Sequence, residues 1–230
     1  MEKSDLELFF EDPGIIPSRA GRKHSHPNGS GKCTAFGTLY KLRREMITCY
    51  GKKKTAPTPW AAAMLVFSGI DLMACCRKGK NDNNAIGPRF QDFIDDCFPP
   101  ISKPYKQQFW SLRNCLLHNF TGQNSVTNEK FRLVLDSSPT TFTSEAENLY
   151  QVNLNQLLVD FEYAIDDYKS KITHGSVLST NFNLMFSKIG YMLVYEQPSL
   201  DAGRFTIPIN MISSGTMQLQ TTLSNFASGA

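Results

Sequence analysis

Between Trp60 and Arg77 the chain places Ala61, Met64, Leu65, Ser68, Asp71, Leu72 and Cys75 at the three- and four-residue spacing of one helical face. That stripe is apolar except for Ser68 and Asp71, and it sets the class to which the rest of the chain must conform. Other segments carry the same period. Leu39–Tyr50 reads as a short helix ended by Gly51, and Arg89–Phe98 as another stopped by Pro99-Pro100. Tyr105–Asn119 carries Phe109, Leu112 and Leu116 on one side, with Gly122 placed as its stop. Val152–Ile172 keeps Leu154, Leu157, Leu158, Phe161, Ala164, Ile165 and Tyr168 in register. Phe131–Leu135 alternates as a strand does. These segments predict a mostly α fold, a four- to five-helix bundle over residues 38–172.

The flanks read differently. Residues 1–37 include a stretch with three Pro and four Gly between positions 11 and 33, the composition of a basic loop or arm. Residues 173–230 hold fourteen Ser/Thr and alternating apolar stretches (Phe182, Leu184, Phe186; Phe205, Ile207, Ile209), which predict strands, an extended tail or an oligomer contact. A length of 230 residues with 41% hydrophobic and 20% charged side chains fits one domain with appendages and excludes collagen and wholesale disorder. No uncharged apolar run of membrane-spanning length occurs, and five acids in the first fourteen residues run against a secretory signal.

The net charge of +3 conceals an uneven spread. Residues 1–58 hold eleven Lys/Arg against six acids, and Arg19–Lys54 has ten basic residues with Glu45 as its single acid. Lys41, Arg43 and Arg44, with Lys52, Lys53 and Lys54, are the candidate nucleic-acid contacts; the alternative is a solvated basic arm. The six cysteines form no CxxC pair, which points to a reducing, cytoplasmic setting rather than a disulfide framework. His24, His26 and Cys33 lack a fourth ligand at zinc-like spacing, so no metal site is expected. The GSGK fragment at 29–32 fails as a P-loop, because His26 stands at the first glycine and Cys33 at the Ser/Thr, and no strand is expected before it. No cofactor motif, nucleophile elbow or HExxH is present. Asp95-Asp96 and Asp166-Asp167 read as helix-surface charges, since adjacent helical residues point about 100° apart.

One segment stands apart, Phe109-Trp110-Ser111-Leu112-Arg113-Asn114-Cys115-Leu116-Leu117-His118-Asn119-Phe120. Arg19 with His24 has the same Arg-to-His spacing but lies in the loop-like arm, whereas Arg113–His118 closes an amphipathic helix. Arg113, Asn114 and His118 resemble the R-N-x-x-x-H form of the Rx4-6H signature of HEPN domains. The order of helical segments from 60 to 172 resembles a group of bacterial HEPN-like proteins. The resemblance implies a helical bundle that binds nucleotides or cleaves RNA without metal or cofactor, in some members as a toxin or phage-defence effector held by an antitoxin. It also implies a homodimer that sets two copies of the motif across a composite cleft.

The residue types suit that chemistry. An imidazole titrates near neutrality and can move the 2′-hydroxyl proton, while a guanidinium can hold a phosphate through two parallel N–H bonds. Asn114 can orient the imidazole or donate to phosphate. On a regular helix, however, positions five apart lie about 140° around the axis, so a single copy of Arg113 and His118 is expected not to converge. Ser68 and Asp71 can support Arg113 or His118 from the 60–77 helix; the alternative is a polar pair satisfied inside the bundle. Equally, Arg113 can pair with Asp71 in the core while His118 caps the helix, leaving a non-catalytic nucleotide- or partner-binding module.

Overall fold

The computed structural model describes residues 3–25, 32–50, 58–81 and 83–195. The chain divides into a unit Met1–Glu196 and a second, Gln197–Ala230, which lies outside the described residues together with the alternating stretches expected there. In chain order the elements are α1 (Asp5–Phe9), α2 (Pro17–Ala20), β1 (Arg22–Ser25), β2 (Lys32–Gly37), α3 (Thr38–Tyr50), α4 (Pro59–Lys78), α5 (Ile86–Cys97), α6 (Lys106–Asn114), β3 (Lys130–Val134), β4 (Phe142–Ala146), β5 (Leu149–Asn153), α7 (Leu154–His174), α8 (Ser176–Ile189) and β6 (Tyr191–Tyr195). A single π-helical turn, Cys115–Asn119, follows α6. The described fold is mostly helical with two small sheets.

Helix α4 is the hub, packed by α3, α5, α7 and α8. Pro59 opens it, where a missing N–H costs nothing, and Gly79 closes it in the left-handed region with φ +68°. Its deepest face is Ala62, Ala63, Val66, Phe67, Ile70 and Met73, all fully buried. The stripe singled out by period, with Ala61, Met64, Leu65, Ser68, Asp71 and Leu72, is instead the half-buried side until Cys75, which is buried. Because this helix is apolar nearly all round, its period does not by itself say which face goes inward. By length and composition α4 is apolar enough to cross a membrane, but here it forms the centre of the core. Gly69 lets α7 approach, since a Cβ there would collide with the Phe161 ring.

The bundle extends beyond 38–172 at both ends. A capping box at Ser4 and Glu7 starts α1, with Ser4 Oγ accepting the Glu7 N–H and the Glu7 carboxylate accepting the Ser4 N–H. Leu8 and Phe9 then enter the main core, with the Phe9 ring edge-on to Phe182 at 5.3 Å between centroids. The expected arm is therefore partly core: Gly and Pro later in the segment dominate its composition and mask a Leu-Phe-Phe cluster. The strand expected around Phe182–Phe186 is a helix. Phe182 and Phe186 share a buried face four residues apart, Met185 joins them, and Leu184 is 48% exposed.

Two three-stranded sheets flank the helices. In the first, β2 is central and antiparallel to both β1 and β6, pairing Cys33 with His24 on one side and Tyr195 on the other. A strand does precede the GSGK fragment, but β1 pairs antiparallel with β2, and Lys32 opens that strand rather than the helix a P-loop requires. In the second sheet, β5 pairs parallel with β3 and antiparallel with β4, then feeds directly into α7. Asp160 of α7 is fully buried there. It accepts hydrogen bonds from Ser102, from Thr141 Oγ1 at 2.5 Å and from Gln156 Nε2 at 2.8 Å, tying α7 to the turn before α6 and to the start of β4.

Candidate active site

Helix α6 buries Phe109 and Leu112 in the core, sets Trp110 against Phe90 of α5 and turns Arg113 toward the half-buried side of α4. Arg113 is 8% exposed and meets Asp71 there. Its Nε donates to Asp71 Oδ2 at 2.9 Å and its Nη2 to the same oxygen at 2.6 Å. The guanidinium carbon lies 5.1 Å from the Trp110 ring centroid, a cation–π contact that fixes its plane. Its Nη1 donates to Asn114 Oδ1 at 3.0 Å and is 2.9 Å from His118 Nε2.

The π-turn brings His118 back. Widening the helix at Cys115–Asn119 sets residues five apart above one another, which a regular α-helix does not do. The expected 140° separation of Arg113 and His118 is thus overturned, and one copy of the motif converges by itself. The helical run reaches Asn119, as the sequence predicts, but Gly122 is not its stop. It ends where Phe120 takes the left-handed conformation at φ +50°, and the Thr121 N–H returns to Cys115 O at 3.1 Å. Gly122 serves another purpose: its backbone packs against Phe131, whose N–H donates to Gly122 O at 2.7 Å, and a Cβ would meet the Phe131 carbonyl.

The charges of the cluster define its protonation. A guanidinium has donors only, so His118 Nε2 must accept from Arg113 and the ring proton sits on Nδ1. Burial pushes the Asp71 carboxyl above its ordinary value, while the hydrogen bonds and charge of Arg113 act in the opposite direction. Four of the five guanidinium N–H groups are spent on Asp71, Asn114 and His118, leaving one on Nη2. His118 itself is exposed at the mouth of a cleft of about 370 Å³, walled by α6 and the 124–127 loop. Cys115 lines the same cleft, but burial and the Glu129 carboxylate push its thiol up, away from the reactive thiolate.

Asp71 therefore joins the cluster directly, through Arg113. Ser68 does not: its hydroxyl donates to the Met64 carbonyl of its own helix at 2.9 Å. The basic residues of α3 have other partners. Arg43 is buried and grips Glu162 through Nε at 3.0 Å and through Nη2, with Nη1 donating to Glu11 O at 3.1 Å. Arg44 donates to Ile15 O at 2.8 Å, and Lys41 lies over the Phe36 ring at 5.5 Å. Arg43 and Arg44 thus fasten the N-terminal segment. Lys52, Lys53 and Lys54 lie outside the described residues, as does His26.

Sequence reasoning missed the opposite wall of the cleft, in particular Asn124 and Thr127, and Glu129 behind it. Its signal is the polar run Gln123-Asn124-Ser125 after Gly122, the composition of an Asx turn. No known protein family, curated protein or solved structure matches this chain significantly.

Proposed function

We propose that the cleft at Arg113 and His118 is the active site of a metal-independent endoribonuclease of HEPN type, which cleaves RNA by 2′-hydroxyl attack and leaves a 2′,3′-cyclic phosphate. The carrying observation is the convergence of a buried, charged Arg113 and an exposed His118 at 2.9 Å, with His118 and Asn114 lining the cleft. In this reading a phosphate oxygen takes up the remaining Nη2 hydrogen of Arg113 and competes for Nη1. His118 Nε2 is then released to accept the 2′-hydroxyl proton as the 2′ oxygen attacks phosphorus. The leaving 5′ oxygen must gain a proton, which the imidazolium formed at His118 by that transfer returns, or which a second His118, itself in the imidazolium form, supplies if two protomers meet across a composite cleft. Asp71 holds Arg113 in place, as a positioning residue.

The test is single-turnover cleavage of a mixed RNA pool in EDTA. Wild type is expected to cleave and His118→Ala to lose roughly 10²–10⁴-fold in rate; equal background in both overturns the reading. The spent fork of Arg113 favours a second reading, a module that holds a nucleotide or an antitoxin-like partner without cleaving it. That reading expects nucleotide binding by wild type with no rate difference between wild type and His118→Ala.

A further inference from the structure

We propose that the cleft beside His118 is a nucleobase subsite, which takes the base of the nucleotide whose phosphate lies at Arg113 and His118. The proposal rests on the phosphodiester reading of that site and adds what enters the cleft behind it. Apart from the imidazole, no described residue lining the cleft carries a titratable charge at neutral pH. The buried Glu129 stands directly behind the wall, with Thr127 Oγ1 donating to its Oε2 at 2.7 Å. A phosphate inside would therefore find no cation and face a carboxylate, so the anion belongs at the mouth and a neutral group belongs within.

The wall is built to hydrogen-bond such a group. Asn124 Oδ1 accepts the N–H groups of Val126 at 2.9 Å and Thr127 at 3.3 Å, which fixes the loop. Its Nδ2 donates to Ser111 Oγ at 2.7 Å and keeps a second hydrogen. Thr127 Oγ1, having given its proton to Glu129 and with Ser111 Oγ 3.5 Å away, keeps a lone pair with which to accept. Gln107 Oε1 is taken by Gln91 Nε2 at 2.9 Å, which leaves the Gln107 amide hydrogens to donate. Donors and an acceptor thus stand together, as an edge of a nucleobase requires. Trp110 and Val126, the latter 87% exposed, supply apolar surface for a ring. A volume of about 370 Å³ falls at the small end of the roughly 300–1,000 Å³ typical of ligand pockets.

The experiment titrates the full-length protein with adenosine, cytidine, guanosine and uridine, followed by ligand-observed NMR. Nucleosides carry no phosphate, so the result does not depend on cleavage. At least one nucleoside is expected to bind wild type, with affinity reduced roughly two- to tenfold by Asn124→Ala and by Gln107→Ala, and retained in Thr127→Ser. Circular dichroism identifies any variant that fails to fold, and Gln107→Ala, on the helix surface, keeps the comparison available. Binding of no nucleoside, or undiminished binding by a folded Gln107→Ala, overturns the subsite even if RNA is cleaved. Nucleoside binding without RNA cleavage upholds the subsite and sinks the ribonuclease reading alone.

Discussion

Arg113 and His118 meet at 2.9 Å because the helix changes period between them. Arg113 sits in the last turn of an α-helix anchored to the core by Phe109 and Leu112, and His118 in a π-turn that runs out to solvent. The rigid partner is thus the guanidinium and the accessible partner is the imidazole. Under the proposed function, this division lets Arg113 hold an anion in fixed geometry while His118 exchanges protons with a ligand.

The contact dictates a tautomer. In the ligand-free protein the His118 ring is expected to carry its proton on Nδ1, since Nε2 accepts from Arg113. Long-range ¹H–¹⁵N NMR of the imidazole reads this directly. In Arg113→Ala the constraint is gone, and the tautomer signal is expected to change; an Nε2-protonated ring in the wild type would sink the proposed contact.

The N-terminal segment is a structural part of the bundle. Phe9 is fully buried against Phe182 and Phe186, so Phe9→Ala is expected to cost about 3–5 kcal/mol. Urea unfolding measures it. A loss under about 0.5 kcal/mol, the size of an ordinary surface substitution, would return α1 to the status of a loose arm.

The contrast between α7 and α4 shows what a sequence carries. Leu154, Leu157, Phe161, Ala164 and Ile165 announce the buried face of α7 because its other side is polar. Helix α4 has apolar residues around its whole circumference, so its existence is legible and its orientation is not. Phe182, Leu184 and Phe186 fit a two-residue period only if Met185 is ignored. At the site, Arg113, Asn114, His118 and Asp71 were all legible as residue types. Their convergence was not, because it depends on a π-turn, and nothing in Cys115–Asn119 distinguishes that turn from a regular helix before the tertiary contacts are known. The wall at Asn124 and Thr127 depends on Glu129, whose burial no local pattern signals.

The Asp160 node is expected to be sensitive to shape as well as to charge. Asp160→Ala leaves the hydroxyls of Ser102 and Thr141 without their buried acceptor and should cost about 2–4 kcal/mol. Asp160→Asn retains one oxygen for both hydroxyls, and Gln156 can turn its amide to accept from the new NH₂, so the loss should be smaller. Chemical denaturation of the two variants separates the outcomes; equal losses would mean that the charge matters and the hydrogen bonds do not.

Asp71 gives the site a pH signature of determinate sign. Its carboxyl titrates above the ordinary 3.8 in the folded protein because burial outweighs the help of Arg113. Below 3.8 the group is protonated in both folded and unfolded chains, and its favourable contribution is fully present. Between that value and the raised one only the folded chain holds the proton, so stability falls as pH rises through the window, and the loss is complete above it. Asp71→Asn keeps an acceptor for Arg113 but cannot titrate, so the difference in stability between variant and wild type should grow in the variant's favour as pH rises across the window. Asp71→Ala behaves differently. It strands the buried guanidinium and should cost about 3–5 kcal/mol at neutral pH. Urea midpoints for the three proteins across the acid range test both statements. A wild-type-to-Asn difference that is flat with pH, or that moves the other way, would mean that Arg113 and not burial governs the Asp71 carboxyl.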